Sequence, residues 1–492
     1  MKKLYIYFLM VLNSYIGYSQ NVVCLTMDEV IRLAVDSSLT AFKNKNIYKS
    51  DYWEYRMFKA ERLPSLSYNL SPVNYYRYLT TRYNFEKNRD EYREQKSYNA
   101  STGFSLSQNF VPLGGKFYIE TSLDYLRSFG NDTYNQFTSI PVRLGYTNDV
   151  IGYNKYKWDK RIEPLKYEKA KMEYLYNTEE ISYQAISLFF ALALAQNQYN
   201  LAKEQLLVSD SLYAVGCRKY QIASMSKSDL LRLELNIVNA QSSIVSAKIN
   251  MQKAIHNLVN FLGISGNEIN ITLPNIPGEL LIDESKAIEL MHQNSYVILD
   301  KQKSVIEAEK RYDEVNKTTR FSARLSASIG FNQESEKFKS VYKDPMRQDL
   351  VSLNIEIPLL DWGVGKGKRQ VAASEVNVAK IEHQQKEVEL EQNLVVIINE
   401  LYFHKELLKN SEEAMKIAEE VFEETKKGFV SSSSITVYDL NEAQEQLLTA
   451  KNRYITCMSA YWLCFYELRK LTLFDFVNNV SLSEKFDFDN LR

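Results

Sequence analysis

An apolar residue recurs at every seventh position through Leu230, Ile237, Ile244, Met251 and Leu258, and a second row, Leu233, Ala240, Ala247, Ala254 and Phe261, runs beside it. The ladder returns 210 positions later as Leu440, Leu447, Tyr454, Tyr461 and Leu468, flanked by Ala443, Ala450, Cys457, Cys464 and Leu471. Seven-residue spacing is the seam of a coiled coil, and small residues at alternate rungs let helices approach closely. The preceding segments match as well, with Ala185, Leu192, Tyr199, Leu206 and Tyr213 answered by Leu394, Leu401, Leu408, Met415 and Phe422. The chain therefore reads as a duplication, each half holding a long helical hairpin, residues 153–262 and 363–472. Each outgoing helix has about 65 residues, roughly 100 Å at 1.5 Å per residue. A rod of that length cannot bury its faces within one small globule, so several must pack into a bundle, a filament or a hollow tube. The 9 Pro and 16 Gly among 492 residues agree with few turns and long elements.

Upstream of each hairpin the period changes to two, as in Leu325, Ala327, Ile329, Phe331 and in Val351, Leu353, Ile355, Ile357. These are strands with one apolar face. The first half has more of them, around Leu66–Leu70, Phe104–Leu106, Phe117–Tyr125 and Val142–Tyr146, and several reach the roughly 9–11 residues of a tilted membrane strand. Leu66 and Val142 are much further apart than Leu325 and Val351, so the first half carries an insertion of about 50 residues, near 72–140, turning at Pro112, Leu113, Gly114 and Gly115. The first repeat is thus 20–263, and the second is 284–475 with strands at 322–358. A strap at 264–283, in which Pro274 and Pro277 exclude helix, joins them, and 476–492 reads as a mobile tail. Each repeat opens on a shorter helix whose first turn is acidic, Asp28 and Glu29 or Asp283 and Glu284.

Lys2 and Lys3 precede an apolar run from Leu4 to Leu12 and small residues at Gly17 and Ser19, the layout of a secretory signal at 1–19. Val23 stands where a lipoprotein signal before Cys24 needs a small residue, which argues against lipidation. No apolar run of about 18 residues follows, so an exported chain of this kind is periplasmic, secreted or a β-barrel. With 60 basic and 61 acidic residues the net charge is -1, which removes the electrostatic case for nucleic acid. The 35 tyrosines suit surfaces that are half wet and half apolar. Cys24, Cys217, Cys457 and Cys464 have neither metal nor disulfide spacing, and His256, His292, His383 and His404 are scattered. Gly363, Gly365, Gly367 and Lys368 imitate a phosphate loop, but the glycine spacing is wrong and Arg369 stands where Ser or Thr is needed. No nucleophile motif is present, so no enzyme, metal or cofactor is expected.

Helix, strands, long hairpin and strap, repeated after an export signal, resemble the TolC-like outer-membrane efflux family over nearly the whole mature chain. Ile357, Pro358, Leu359, Leu360, Asp361, Trp362 and Gly363 look like that family's junction from membrane strand to long helix. The first-half junction, Asp149 to Asn154, lacks the proline. Asp439 and Leu440 with Ala450 and Tyr454, and Asp229 and Leu230 with Ala240, resemble the start of the returning helices. The resemblance implies a mainly α protein with β: duplicated antiparallel coiled-coil hairpins plus membrane strands in a homotrimeric α-barrel/β-barrel channel. The channel would sit in outer-membrane lipid and extend into the periplasm. The family usually supplies four strands per subunit, and the insertion raises six as the alternative.

The resemblance further implies passive conduction in a tripartite efflux or type I secretion system, with a periplasmic adaptor (membrane fusion) protein and an inner-membrane efflux pump or ABC exporter as partners. Adaptor docking falls to the small and hydroxylic hairpin tips, Tyr220, Ala223, Ser226, Gly428, Phe429, Ser433 and Thr436; read without the family these are turns and caps, with Ser226 and Ser434 as helix starts. Asp229 and Asp439 are candidate entrance acids, although first-turn helix acids favour the same positions. The competing class is an exported, elongated coiled-coil scaffold or adhesin whose strands form a soluble head.

Overall fold

The computed structural model describes residues 23–129, 133–264, 269–275, 278, 280–431, 435–486 and 488; the expected signal at 1–19 lies outside them. The elements are β1 (Val23–Thr26), α1 (Met27–Ser37), α2 (Leu39–Ala60), β2 (Ser65–Asn84), β3 (Arg89–Phe110), β4 (Gly115–Phe129), β5 (Tyr134–Asn148), α3 (Lys155–Gln221), α4 (Lys227–Leu262), β6 (Ile269–Thr272), α5 (Glu284–Asn294), α6 (Tyr296–Thr318), β7 (Ser322–Ser335), β8 (Met346–Glu356), α7 (Val364–Ser431), α8 (Val437–Thr472), β9 (Phe474–Asp475), β10 (Val480–Ser481) and α9 (Leu482–Lys485). They divide into two compact units. One holds the described residues up to Tyr48, Lys171–Tyr296 and those from Val388 onward; the other holds Lys49–Ala170 and Val297–Glu387.

The first unit is helical, and its core is the repeated seam. Leu233, Ala240 and Leu258 of α4 and Leu440, Tyr461 and Leu468 of α8 are buried, as are Ala185 and Leu192 of α3 and Leu394, Leu401 and Leu408 of α7. No rung of either seven-residue row is exposed. Local signals start the shorter helices. Thr26 and Glu29 form a reciprocal capping box on α1, and Asp283 accepts from Ser285 N at 3.0 Å to cap α5. β1 and β6 pair in parallel from Val23↔Ile269 to Thr26↔Thr272, and the Gln196 amide binds both Ile269 O and Ile271 N of that pair. The strap expected at 264–283 thus contains a strand; Pro277 lies outside the described residues.

The segment expected as a mobile tail is packed in its described part. β9 and β10 pair antiparallel, Leu482 is buried with Leu175 and Leu473, and the Phe486 and Phe488 rings lie 5.2 Å and 6.5 Å from Tyr174. Its aromatic residues are too few for a periodic signal, so only the surface they meet reveals their role. Beside them Arg469 pairs with Asp475 at 3.2 Å, and Lys470 with Glu180 and Glu467 at 2.9 Å and 2.6 Å. Buried charges persist only when paired in this way.

The second unit carries one six-stranded antiparallel sheet, order β2-β3-β4-β5-β7-β8, so among the described residues the insertion makes six membrane-type strands rather than four. Its prolines fall where the ladder is irregular. The β2–β3 register shifts between Ser71 and Asn74, around Pro72, and the β5 pairings shift on both sides of Pro141. Proline lacks the N–H a regular ladder needs, and a bulge removes that demand. The helical segments of this unit are tied by Trp158 Nε1 donating to Asp313 at 3.0 Å, by Lys310 with Asp159 at 2.7 Å, and by the Tyr55–Tyr167 stack at 4.6 Å. Truncating the seam should be costly. Leu394→Ala is expected to lose about 2–5 kcal/mol, and chemical denaturation in detergent followed by helical circular dichroism would check it; an unchanged midpoint would contradict the packing described for Leu394.

Candidate functional site

Two features can act on other molecules: the faces of the sheet and the tips of the long hairpins. Along each strand, successive residues face opposite sides. Register places Leu66, Leu106, Ile119, Leu144 and Ile329 on one side, where β8 contributes the Arg347–Asp349 ion pair at 2.9 Å and then the apolar Val351, Leu353 and Ile355. The other side carries Ser67, Ser105, Glu120, Arg143, Ser328 and Gln348, where Arg143 pairs with Glu120 at 2.9 Å and donates to Gln348 at 2.7 Å. One face suits lipid and the other water. Aromatic rows bound the apolar face. Near the helix-proximal strand ends is Phe110–Phe117–Tyr146 at 5.2 Å and 4.8 Å, toward the other ends is Tyr98–Tyr125–Phe137 at 6.1 Å and 4.9 Å, and Tyr68–Phe104 at 4.9 Å lies midway, level with Thr121. Along β4, Phe117 and Tyr125 are eight residues apart, about 26 Å at 3.3 Å each, comparable with the apolar band between aromatic girdles in a membrane barrel.

At the junction after β8, Trp362 and Gly363 take left-handed backbone conformations, φ 53° and 92°. Asp361 closes the turn by accepting from Gly363 N at 2.9 Å and Gly365 N at 2.7 Å, and these amides hold its carboxyl below the usual carboxylate range. The glycines that imitate a phosphate loop therefore open α7, and their N–H groups are already occupied, those of Gly363 and Gly365 by the Asp361 carboxylate and that of Gly367 by the Gly363 carbonyl at 2.8 Å. Pro358 precedes this turn, while Leu359 and Trp362 are 93% and 89% exposed. In the first half Asn154 does the corresponding work, accepting from Lys157 N at 3.2 Å and donating to Val111 O at 2.7 Å.

The tips converge on one another. The first hairpin turns through Ala223, φ 53°, with Ser224 N bound to Lys219 O at 2.8 Å; Ser226 then caps α4 by accepting from Asp229 N at 3.1 Å. In the second, Thr436 and Asp439 form a capping box on α8, so Thr436 takes the helix start expected of Ser434, which with Ser433 lies outside the described residues. Tyr220, Ala223, Ser226 and Thr436 are exposed. Phe429, expected at the docking surface, is only 1% exposed, in an apolar cluster with Leu233, Phe422 and Leu440. Lys219 crosses from the other hairpin, donating to Phe429 O at 2.7 Å with its ammonium 4.7 Å from the ring centre. Gly428 is tucked against Ile435, whose Cδ1 would overlap any added Cβ. Ile222, Val430 and Tyr438 are exposed apolar residues that composition did not single out; their signal was apolarity inside a turn. Asp229 and Asp439 both spend their carboxylates on caps, accepting from Ser226 Oγ and Thr436 Oγ1 at 2.7 Å each. Among the described residues no cluster of three His, Cys, Asp or Glu could hold a metal.

Known proteins place this geometry in a class. Residues 294–472 match the sequence family described as outer membrane efflux protein. No curated protein matches the chain significantly in sequence. The structure resembles the Campylobacter jejuni CmeC outer membrane channel at 15% identity, covering 94% of this chain and 90% of that one with a TM-score of 0.62. It also resembles VceC, an outer membrane protein of Vibrio cholerae, at 13% identity, 91% and 96% coverage and 0.61, and the outer-membrane channel OprN at 11% identity, 91% and 89% coverage and 0.65. Residues 294–472 thus carry the sequence pattern of the outer membrane efflux protein family, and more than nine-tenths of the chain has the fold of these outer-membrane channels.

The cap at the second tip makes its order depend on pH. Thr436 holds the Asp439 carboxyl below its ordinary value. A lowered folded-state pKa means that the stabilisation is complete above about pH 4 and is lost as acid protonates the group. Thr436→Ala should weaken the cap by about 1 kcal/mol. Limited proteolysis should then nick the second tip faster at pH 7, and the difference from wild type should shrink near pH 3.

Proposed function

We propose that the protein is the outer-membrane channel subunit of a tripartite efflux or type I secretion system, working as a homotrimer that passively conducts substrates across the periplasm and outer membrane. The sheet carries this reading. It has an apolar face bounded by aromatic rows, a polar face of serines and paired charges, and two edges, at β2 and β8, that are unpaired among the described residues. Unpaired strand edges are not tolerated in lipid, so such a sheet needs further copies to close it. The helices support the same reading. α4 exposes a second seven-residue ladder, Leu231, Val238 and Val245, and α7 exposes Val371 with Val378 and Val396 with Phe403. These are the faces that neighbouring subunits would cover.

A periplasmic adaptor would meet the hairpin tips through Ile222, Tyr220 and Tyr438, with Ala223, Ser226, Gly428, Ser433 and Thr436 keeping the surface small enough for close meshing. Phe429 and Lys219 act from behind, holding the two tips as one surface. The adaptor would couple the channel to an inner-membrane efflux pump or ABC exporter. Asp229 and Asp439 serve the tips as caps, which leaves them little freedom to act as entrance acids.

Two measurements test this. Light scattering of the unboiled, detergent-extracted protein should give about three chains from the outer-membrane fraction, each below the 57.3 kDa of the full sequence by the mass of the signal at 1–19. A monomer released by salt and alkali would favour the exported scaffold. A photoreactive residue at Ile222 or Tyr438 should capture a periplasmic adaptor in intact envelopes, and Tyr438→Ser with Ile222→Ser should lower capture about tenfold, the loss of a typical interface anchor, while trimer mass stays unchanged. Capture that ignores the tips would refute their docking role.

A further inference from the structure

The shift of 209 that aligns the long hairpins also aligns β4 and β5 with β7 and β8, so the hairpin without a counterpart is β2–β3, which turns between Asn84 and Arg89 and not at the expected Pro112–Gly115. It could be a lid, a plug or a piece of wall. Three observations decide among these. First, β3 pairs with β4 without interruption from Lys96↔Phe129 to Phe110↔Gly115, as continuous as any ladder in the sheet. A plug or lid would leave the wall, whereas this hairpin is hydrogen-bonded into it.

Second, the alternation of the wall continues through the hairpin. Leu66, Tyr68 and Leu70 stand on the apolar side with Leu106 and Phe104, while Ser67 and Ser105 stand on the polar side. Both aromatic rows extend into it: Phe110 of β3 belongs to the helix-proximal row, and Tyr98, paired with Tyr75, belongs to the far one. Beyond Lys96 the hairpin pairs, among the described residues, only with itself, and there ion pairs such as Lys87–Glu91 at 3.0 Å replace the apolar alternation, as suits a ribbon standing in water.

Third, six strands is an even number in an unbroken antiparallel order, so β2 and β8 run in opposite directions. A β8 edge can therefore pair with β2 of the next copy and keep every ladder antiparallel around a ring. The apolar face reaches both edges, through Leu66, Tyr68 and Leu70 at one and Val351, Leu353 and Ile355 at the other, all exposed in the single chain. The occupant these edges require is a second copy of this chain.

From this we infer that β2–β3 is a third membrane-spanning hairpin and that the assembled channel closes through β8–β2 contacts between copies. The inference rests on the trimeric channel reading. Three subunits of six strands then give eighteen, in place of the twelve that four strands per subunit would give. Barrel diameter grows roughly linearly with strand number, so the bore at the membrane is about 1.5 times wider, in the range that leaves a water-filled channel.

Cysteine cross-linking of the full chain in outer-membrane vesicles tests the closure. Ser67→Cys on β2, combined with Ser352→Cys or Asn354→Cys on β8, places thiols on the polar face of the two edges. A short bis-methanethiosulfonate should convert at least one pair to covalent trimer, while Lys116→Cys on β4 with the same β8 partners, and the wild-type chain, should give none. Covalent trimer from the β4 pairs but not the β2 pairs would mean a twelve-strand wall with the hairpin outside it, overturning this inference and leaving the channel reading intact. A wild-type chain that fractionates outside the membrane would overturn both. If the cysteine variants fail to assemble, strand counting by electron cryomicroscopy of the wild-type protein in nanodiscs decides the same question, with eighteen supporting the inference and twelve refuting it.

Discussion

Close helix contact along the seven-residue seam is the constraint on which the helical unit depends. Ala240 and Ala443 sit at buried rungs where a larger side chain would push the helices apart, and Leu258, Leu394, Leu408 and Leu468 fill the space between. Such contact favours long, continuous helices, because every interruption forfeits a rung. The polar pairs between hairpins, Asn236 with Asn441 at 3.0 Å and Asn197 with Asn452 at 3.2 Å, add directional contacts to a seam that apolar rungs alone would leave free to slide.

The ends of those helices are handled by the same chemistry each time. Ser226, Thr436, Asp361 and Asn154 each satisfy orphan N–H groups at a helix start, and three of the four do so where the chain turns sharply through a left-handed residue nearby. The side chains used for capping are those that a reading from composition would offer as functional acids or hydroxyls. Asp229 and Asp439 show why geometry has to arbitrate. An acid in a first turn gains both from the helix dipole and from the N–H it accepts, so its presence there requires no further role.

Much of the fold was legible before any coordinates. The duplicated ladders marked both hairpins, the change from period seven to period two marked the strands, and Pro358 to Gly363 marked the junction, because each is a local pattern whose physical cause lies within a few residues. The candidate site was legible only in part. The tips were found from turn chemistry, but Phe429 reads in sequence as an exposed aromatic in a serine-rich loop and is instead buried beneath Lys219, some two hundred residues earlier in the chain. The packed β9–β10 segment and the apolar ladders left uncovered on α4 and α7 were equally invisible, since burial depends on what else is nearby.

By itself the sequence determined where the long helices and the strands of the large sheet lie, and that there are two copies of the plan, since periodicity and capping act over short distances. Only the tertiary structure decided that the insertion joins the sheet as β2 and β3, that the two tips lock together through Lys219 and Phe429, and that the described part of the segment after α8 packs onto α3. Those outcomes depend on pairings between residues far apart in the chain, where many partners satisfy the same local pattern and only the combined register and burial select one.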